Sequence, residues 1–372
     1  MNEHHSIIVI GAGLSGLYTA WRLHQQQQDV IVLEARNRIG GRVLSRQVNK
    51  SDQCFVDLGP AWVWPQLQPK LEQLMTELDV KQFKQFTSGN ILYEMAPNNI
   101  QRYSGQSAHE QSYRIVDGGQ RLIEALRSRL PNSLLHLDSQ VTSINQKPSE
   151  IEIARNGKSI KYSTDKIILA LPPRVALSMI KFKPVLQDNI IQLWNSISTW
   201  MAGQCKVVFI YKNPFWRNQN LSGEVFSQYG PLTEIYDASA EDESFFALTS
   251  FVGINAVQRK LLSTEQLIEK CMAQLQRLFG DESKDIIDIQ VKDWSEDVYT
   301  STDIDLHSKA AHPDYPASMQ AAIWNNQLIL AGTEVAQEHA GYLEGAIVSA
   351  DTALSTLGFD DMAINQDSDV NR

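Results

Sequence analysis

The sequence predicts a mixed α/β fold in which a parallel α/β domain, assembled from separated stretches of chain, is interleaved with a second domain of antiparallel sheet flanked by helices. Three observations predict it: a strand, glycine-rich turn and helix within the first forty residues, a run of short strands in the interior, and a strand–glycine–helix element near the end. A chain of 372 residues suits about two domains of roughly 100–200 residues each. With 43% hydrophobic residues, eight Trp and twelve Phe, it packs a core and is not of the disordered class. The sum of 33 basic and 43 acidic residues, −10, speaks against a nucleic-acid binder. Cys54, Cys205 and Cys271 lie far apart, without the C-x-x-C spacing of zinc sites or thiol exchange, which suits a reducing compartment. No run reaches the ~18 apolar residues of a membrane helix, and the opening Met-Asn-Glu-His-His lacks the basic start of a secretion signal. The expectation is a soluble, cytoplasmic protein.

Element by element, Ser6–Ile10 is a short apolar run suited to a strand buried on both faces. After Gly11-Ala12-Gly13-Leu14-Ser15-Gly16 a helical pattern runs through Leu17, Ala20, Trp21 and Leu23 to the solvated Gln25–Gln28, and Val30–Leu33 is a second buried strand closed by Glu34. Helices follow over Lys70–Leu78 and Gln120–Leu130, the latter stopped by Pro131. Strands are expected at Leu134–Leu137, Val141–Asn145, Glu150–Ala154 and Lys158–Tyr162, the last two joined by an Asn156-Gly157 hairpin turn. Lys166–Leu171 is a further strand, ended by Pro172-Pro173. Gln204–Tyr211, Val225–Gln228, Glu234–Asp237 and Phe245–Phe251 suggest the antiparallel sheet. A helix over Thr264–Phe279 carries Ser263 and Gln266 as a capping box and Gly280 as its stop. Strand Gln327–Ala331 and helix Tyr342–Leu357 close the pattern, ahead of a polar tail.

Gly11, Gly13 and Gly16 form G-x-G-x-x-G between strand and helix, and Glu34 lies 18 residues beyond, near the place of the carboxylate that binds a ribose hydroxyl. Such a Rossmann-type unit offers backbone N–H groups and the positive end of a helix to a pyrophosphate. The plain alternative is a glycine turn that binds nothing. Directly after Glu34 stand Ala35-Arg36-Asn37-Arg38-Ile39-Gly40-Gly41-Arg42. A nicotinamide enzyme has no general use for this second glycine pair between arginines. An extended FAD does, along its phosphates and ribityl chain.

From Gly11 to Arg42 the sequence resembles the flavin-containing amine oxidase family, whose signature runs G-x-G-x-x-G, E-A, R-x-G-G-R. The resemblance extends from about Ile7 to Leu357. Val56-Asp57-Leu58-Gly59-Pro60-Ala61-Trp62 is similar to the segment beside the flavin ring, Val116–Gly119 to the chain's return into the FAD domain, and Ile167–Pro173 to the I-x-A-x-P-P strand end. Val141 falls at the adenine-side contact and Trp294 at the flavin-facing tryptophan. Lys206 precedes Pro214-Phe215-Trp216 as the flavin-site lysine does, while Ala331-Gly332-Thr333-Glu334 and Gly341-Tyr342-Leu343-Glu344-Gly345-Ala346 resemble the closing motifs.

The resemblance implies oxidation of the C–H bond next to an amine nitrogen, with FAD as acceptor, imine hydrolysis, and O2 reduced to H2O2. It implies Lys206 and Tyr342 as catalytic residues, Lys206 holding a water at the flavin and Tyr342 forming one wall of an aromatic cage. Cofactor contacts are implied for Gly11, Gly13, Ser15, Gly16, Glu34, Ala35, Arg36, Gly41, Arg42, Gly59, Pro60, Ala61, Trp62, Val141, Trp294, Gly332, Glu334 and Leu343. The FAD domain is then expected over 1–70, 113–195 and 303–360, the substrate domain over 71–112 and 196–302, and the tail over 361–372. The plain alternatives are a surface lysine on a sheet edge and a packing tyrosine at a helix start.

Departures from the family bear on chemistry. Where monoamine oxidases carry the cysteine that bonds covalently to FAD and then a second cage tyrosine, this chain has Asp303 and Ile304, so FAD is expected to be non-covalent. Trp62, Trp64 or Tyr299 are candidates for the second wall, and Asp303 or Asp305 for an ammonium anchor, although a solvated loop is the commoner fate of such aspartates. An L-amino-acid oxidase would need a cation for the substrate carboxylate; Pro60–Leu67 holds no arginine, leaving Arg102 and Arg114. A desaturase-like flavoenzyme is opposed by Lys206, Trp294 and Tyr342 together. A flavin-bound interaction module without turnover is the reading from another class. The histidines show neither metal nor hydrolase spacing, and His339 reads as an exposed loop residue. The expected partners are a small amine and O2, with no nucleic acid, membrane or metal.

Overall fold

Strand Glu3–Ile10 begins at a polar sheet edge and is wholly buried over Ile7–Ile10. It runs parallel between Val30–Leu33 and the end of Lys158–Leu169, with Ile10 opposite Leu33 on one side and Leu169 on the other. A strand flanked on both edges and covered on both faces has to be apolar throughout, which is the pattern read from the sequence. The computed structural model describes residues 3–48, 54–97, 99–104, 111–307, 312, 313, 315 and 323–359. The tail expected over 361–372 lies outside them. No described helix is long and apolar enough to cross a membrane.

The chain divides into two compact units. The first comprises Met1–Ile39, Leu126–Ile197 and Tyr315–Arg372. Its sheet runs in the order Lys181–Lys183, Gln140–Asn145, Glu150–Arg155, Lys158–Leu169, Glu3–Ile10, Val30–Leu33, Leu135–His136, and Leu328–Leu330 pairs alongside Lys158–Leu169. The parallel part carries the glycine loop, and the antiparallel part is the hairpin turned at Asn156 and Gly157, both at positive φ. The strand pair expected at Lys158–Tyr162 and Lys166–Leu171 is one strand, Lys158–Leu169. Its polar middle, Ser163-Thr164-Asp165, stays extended because it pairs with the equally polar start of the first strand, His4 opposite Ser163 and His5 opposite Thr164.

The second unit comprises Gly40–Ala125 and Ser198–Asp314. Its seven-stranded sheet runs Ile286–Asp293, Cys205–Tyr211, Phe246–Val252, Leu232–Asp237, Leu221–Ser227, Asn90–Ala96, Asn99–Tyr103. One face buries Val207, Phe209, Val225, Ile235 and Leu248 against Leu267, Cys271 and Leu275 of helix Thr264–Phe279. That helix has the capping box at Ser263 and Gln266, and ends at Gly280 with φ 87°. Alternation along the strands sends Lys206, Val208 and Ile210 to the opposite face. There Val208 and Ile210 pack with Val48, Val56 and Leu58.

The compact units divide the chain at other places than the expected domains: 40–70, 113–125 and 303–314 group with the second unit and 196–197 with the first. The reason is local bonding: Asp57 accepts from the Gly119 N–H at 2.8 Å, and the Gly59 carbonyl accepts from Lys206.

Helix Leu14–Gln25 starts against the first strand at a distance that only glycine permits. A Cβ on Gly16 would stand 1.9 Å from the Gly11 carbonyl oxygen. Gly16→Ala is therefore expected to force helix and strand apart and lower unfolding free energy by about 1–3 kcal/mol, measured by urea titration.

Candidate active site

In the first unit the glycine loop leaves the strand with the Gly11 N–H donating to Leu33 O at 2.8 Å. The helix that follows begins at Gly13, has no side-chain cap and carries no acidic residue in its first turn. Its leading N–H groups and the positive end of its dipole thus have no anion of their own. Glu34, buried at the end of the second strand, accepts from the Ala12 N–H at 2.7 Å and the Arg36 N–H at 2.9 Å. These bonds set the carboxylate beside the loop. Ser15 and Ser349 both donate through their hydroxyls to Ala331 O, fastening the closing segment to the first helix. Beyond it, Thr333 Oγ1 donates to Tyr342 O at 2.8 Å, and Tyr342, 39% exposed, stands at the N-cap position of helix Leu343–Thr356. Glu334 is buried, Val141 lies in strand Gln140–Asn145, and Ala35 and Arg36 are half-buried. An uncapped helix start, a glycine approach and a buried carboxylate at the next strand end fit a dinucleotide such as FAD.

The second unit gathers a different set. Lys206 is 1% exposed, on a strand paired along both edges, so the sheet-edge alternative does not apply. Its ammonium donates to Gly59 O at 2.6 Å and lies 5.3 and 5.0 Å from the ring centres of Trp62 and Phe251. Burial pulls its pKa down to about 8, with Arg114 acting in the same direction and Asp57 opposing. Asp57, itself buried, accepts from Ser45 Oγ at 2.6 Å and the Gly119 N–H at 2.8 Å, and lies 3.8 Å from Arg114 Nη2. Trp62 is held by its indole N–H donating to Gln85 Oε1 at 2.9 Å and by edge contact with Tyr236 at 5.0 Å. Trp294 donates from its indole to Leu58 O at 3.0 Å. Gly59 is where the segment passes the chain around Arg42, since a Cβ there would meet Arg42 O at 2.1 Å. Arg42 donates to Trp200 O at 3.1 Å, Gly41 and Pro60 are half-buried, and Ala61 is buried.

The expected residues therefore fall into two groups. Gly41, Arg42, Gly59, Pro60, Ala61, Trp62, Lys206 and Trp294 belong to the second unit, and the remainder, Tyr342 and Leu343 included, to the first. Asp305 is buried and accepts from the Thr302 N–H and hydroxyl at 2.9 and 2.7 Å, closing a turn, while Asp303 and Ile304 are exposed. Arg114 is occupied by Asp57 and by Ser239 O at 3.4 Å, and Arg102 is exposed on strand Asn99–Tyr103. His339 is exposed. Among the described residues no group of three or more His, Cys, Asp or Glu is arranged for a metal ion. The sequence reading missed Asp57, Gln85, Tyr236 and Phe251 as parts of the site. An acid amid the apolar run Phe55-Val56-Asp57-Leu58 was the available signal for the first.

Residues 99–353 match the family model described as flavin containing amine oxidoreductase, and residues 9–78 one described as an NAD(P)-binding Rossmann-like domain. The chain is similar to the probable flavin-containing monoamine oxidase A of Dictyostelium discoideum, 21% identical over 94% of this chain and 96% of that one. It is also similar to amine oxidase [flavin-containing] B of Cavia porcellus, 21% identical over 95% and 86%. Among solved structures, wild-type putrescine oxidase bound to putrescine has a TM-score of 0.78 at 20% identity, covering 96% of this chain and 100% of that one. Cyclohexylamine oxidase from Brevibacterium oxydans IH-35A gives 0.75 at 17%, covering 95% and 98%. These two likenesses are of fold.

Because Lys206 has a lower pKa folded than unfolded, the unfolded chain binds the extra proton between about pH 8 and 10.5. The cost of its burial is complete below that window and fades as pH rises through it. The stability of Lys206→Met relative to the unmutated protein is accordingly expected to fall across the window, read from denaturant unfolding at each pH.

Proposed function

The chain belongs to the flavin-containing amine oxidoreductase family, and from that premise we propose how its residues carry out FAD-dependent amine oxidation. The protein is an FAD-dependent amine oxidase. When bound, FAD accepts the two electrons of the substrate C–H bond and passes them to O2. In our reading Gly11, Gly13, Ser15, Gly16, Glu34, Ala35, Arg36 and Val141 hold its ADP half, with Gly332, Glu334 and Leu343 along the rest of the cofactor. Gly41, Arg42, Gly59, Pro60, Ala61, Trp62 and Trp294 hold the phosphate and ring end.

The observation that carries the catalytic assignment is Lys206, an ammonium in the middle of a sheet among aromatic rings. One of its N–H donors is taken by Gly59 O, and an ammonium has three. The others fit a water, which Lys206 would orient and protonate or deprotonate; a pKa of about 8 suits that exchange near neutral pH. Tyr342, exposed at its helix start, would offer a ring face to a neutral or cationic amine in this reading. With Arg114 tied to Asp57, the arginine an amino-acid carboxylate would need is better used elsewhere, which favours simple amines over L-amino acids.

Non-covalent attachment is supported by the cysteines. Cys205, on strand Cys205–Tyr211, and Cys271, on helix Thr264–Phe279, are buried in the core between them, and burial raises both thiols, Cys271 to about 12. Cys54 contacts Ser244 Oγ at 3.3 Å. The supernatant of acid-precipitated protein is therefore expected to be yellow; a colourless supernatant over a yellow pellet would overturn this. Anaerobic mixing with an amine panel is expected to bleach the flavin, whereas a flavin-bound interaction module would leave its colour. Lys206→Met is expected to slow flavin reduction or reoxidation by roughly 100-fold in stopped-flow traces. Unchanged rates for both would remove the catalytic role.

A further inference from the structure

Gln85 lies outside every motif that carries the resemblance, yet it holds the polar edge of Trp62. Resting on the reading of Lys206 given above, we propose that Gln85 is a positioning residue for the oxidation. It fixes the plane of the Trp62 indole beside the Lys206 ammonium, and so fixes where that ammonium aims its remaining N–H groups.

The Gln85 amide is buried and committed at both ends. Its NH2 donates to Phe86 O at 3.0 Å and to Asp237 O at 2.8 Å, and its Oε1 accepts from the Trp62 indole N–H at 2.9 Å. Turning the amide over would set its oxygen against two carbonyls and its NH2 against an N–H, so one orientation alone is stable. Neither Glu nor Met at this position can make all three bonds. The acceptors are fixed in their turn. Asp237 ends strand Leu232–Asp237, and its carboxylate accepts from the Trp216 indole, from Arg217 Nε and from the Ser239 N–H, each at 2.9 Å. The Gln85 N–H itself donates to Ser112 O at 3.0 Å. The turn at Pro214-Phe215-Trp216 is thereby fastened to Trp62 through two residues, Asp237 and Gln85.

The plane of the indole matters because packing alone sets it loosely. A tryptophan ring turns about its Cβ–Cγ bond in broad wells. Tyr236 meets the Trp62 ring edge-on at 5.0 Å, and Phe251 lies at 6.2 Å with the two planes 33° apart. A hydrogen bond at the indole edge selects one pose between them. In that pose the Lys206 ammonium stands 5.3 Å from the Trp62 ring centre and 5.0 Å from that of Phe251, while donating to Gly59 O. Two rings and one carbonyl leave the ammonium few directions for its other donors. Without Gln85 the indole N–H loses its acceptor, the ring is free to turn, and the ammonium is no longer confined on that side.

The test uses the FAD-loaded protein, with benzylamine, n-butylamine and 1,4-diaminobutane as reductants at saturation, and stopped-flow traces of flavin reduction and reoxidation. Gln85→Met, Lys206→Met and the double variant are compared. Gln85→Met is expected to slow by about 10-fold the step that Lys206→Met slows, and to add nothing to it in the double variant, because residues that act as one unit are not additive. Trp62→Phe keeps a ring but has no N–H for Gln85 to accept. It is expected to repeat both results, and it reads the same link should Gln85→Met fail to fold. Unchanged rates in Gln85→Met or in Trp62→Phe overturn the proposal. So does an equal loss with and without Lys206, which would make Gln85 a packing residue only. If Lys206→Met alone changes neither rate, the reading of Lys206 falls and the proposal with it. A flavin that none of the three amines bleaches overturns the amine oxidase reading itself.

Discussion

The hydrogen bond from Lys206 to the Gly59 carbonyl is the contact on which the second unit's site depends. An ammonium held between strands costs several kcal/mol unless strong acceptors and a nearby anion offset its lost hydration. At 2.6 Å the Gly59 carbonyl supplies the first. Asp57 supplies the second, and through Ser45, Gly119 and Arg114 it anchors the turn and strands around it. Because both groups sit on one short segment, the same stretch that tolerates the lysine also carries Trp62 over it. Charge, backbone path and aromatic lining therefore stand or fall together, and a single carboxylate serves two buried cations.

The first unit reaches order by steric means instead. Its loop has few side chains to bond, so the glycines set how near helix and strand come, and the buried Glu34 is placed by backbone N–H groups. One unit is governed by closeness of approach and the other by compensation of charge.

These differences explain what could be read from the sequence. The glycine loop, Glu34, the Asn156-Gly157 hairpin and the Ser263–Gln266 capping box were legible because each is set within a few residues by backbone demands. Lys206 and Trp294 were legible only through resemblance, since nothing local distinguishes a lysine in a central strand from one on an edge. Asp57, Gln85 and Arg114 were not read in their structural roles because their partners are 62, 152 and 125 residues away. The segment 163–165 was misread because polar residues in a strand look like a break until the equally polar partner strand is known.

The shared acceptor at Ala331 has a consequence for the birth of the protein on the ribosome. Ser15 and Ser349 reach one carbonyl, so a helix made among the first residues completes its surroundings only when chain 316 residues later has emerged. Strand Leu328–Leu330 likewise joins a sheet whose other strands were translated long before. At about 5–20 residues per second, the glycine loop waits on the order of half a minute with one flank bare. The stretches of the second unit, by contrast, end at Asp314. The surroundings of the glycine loop are thus among the last parts of the fold that synthesis can complete.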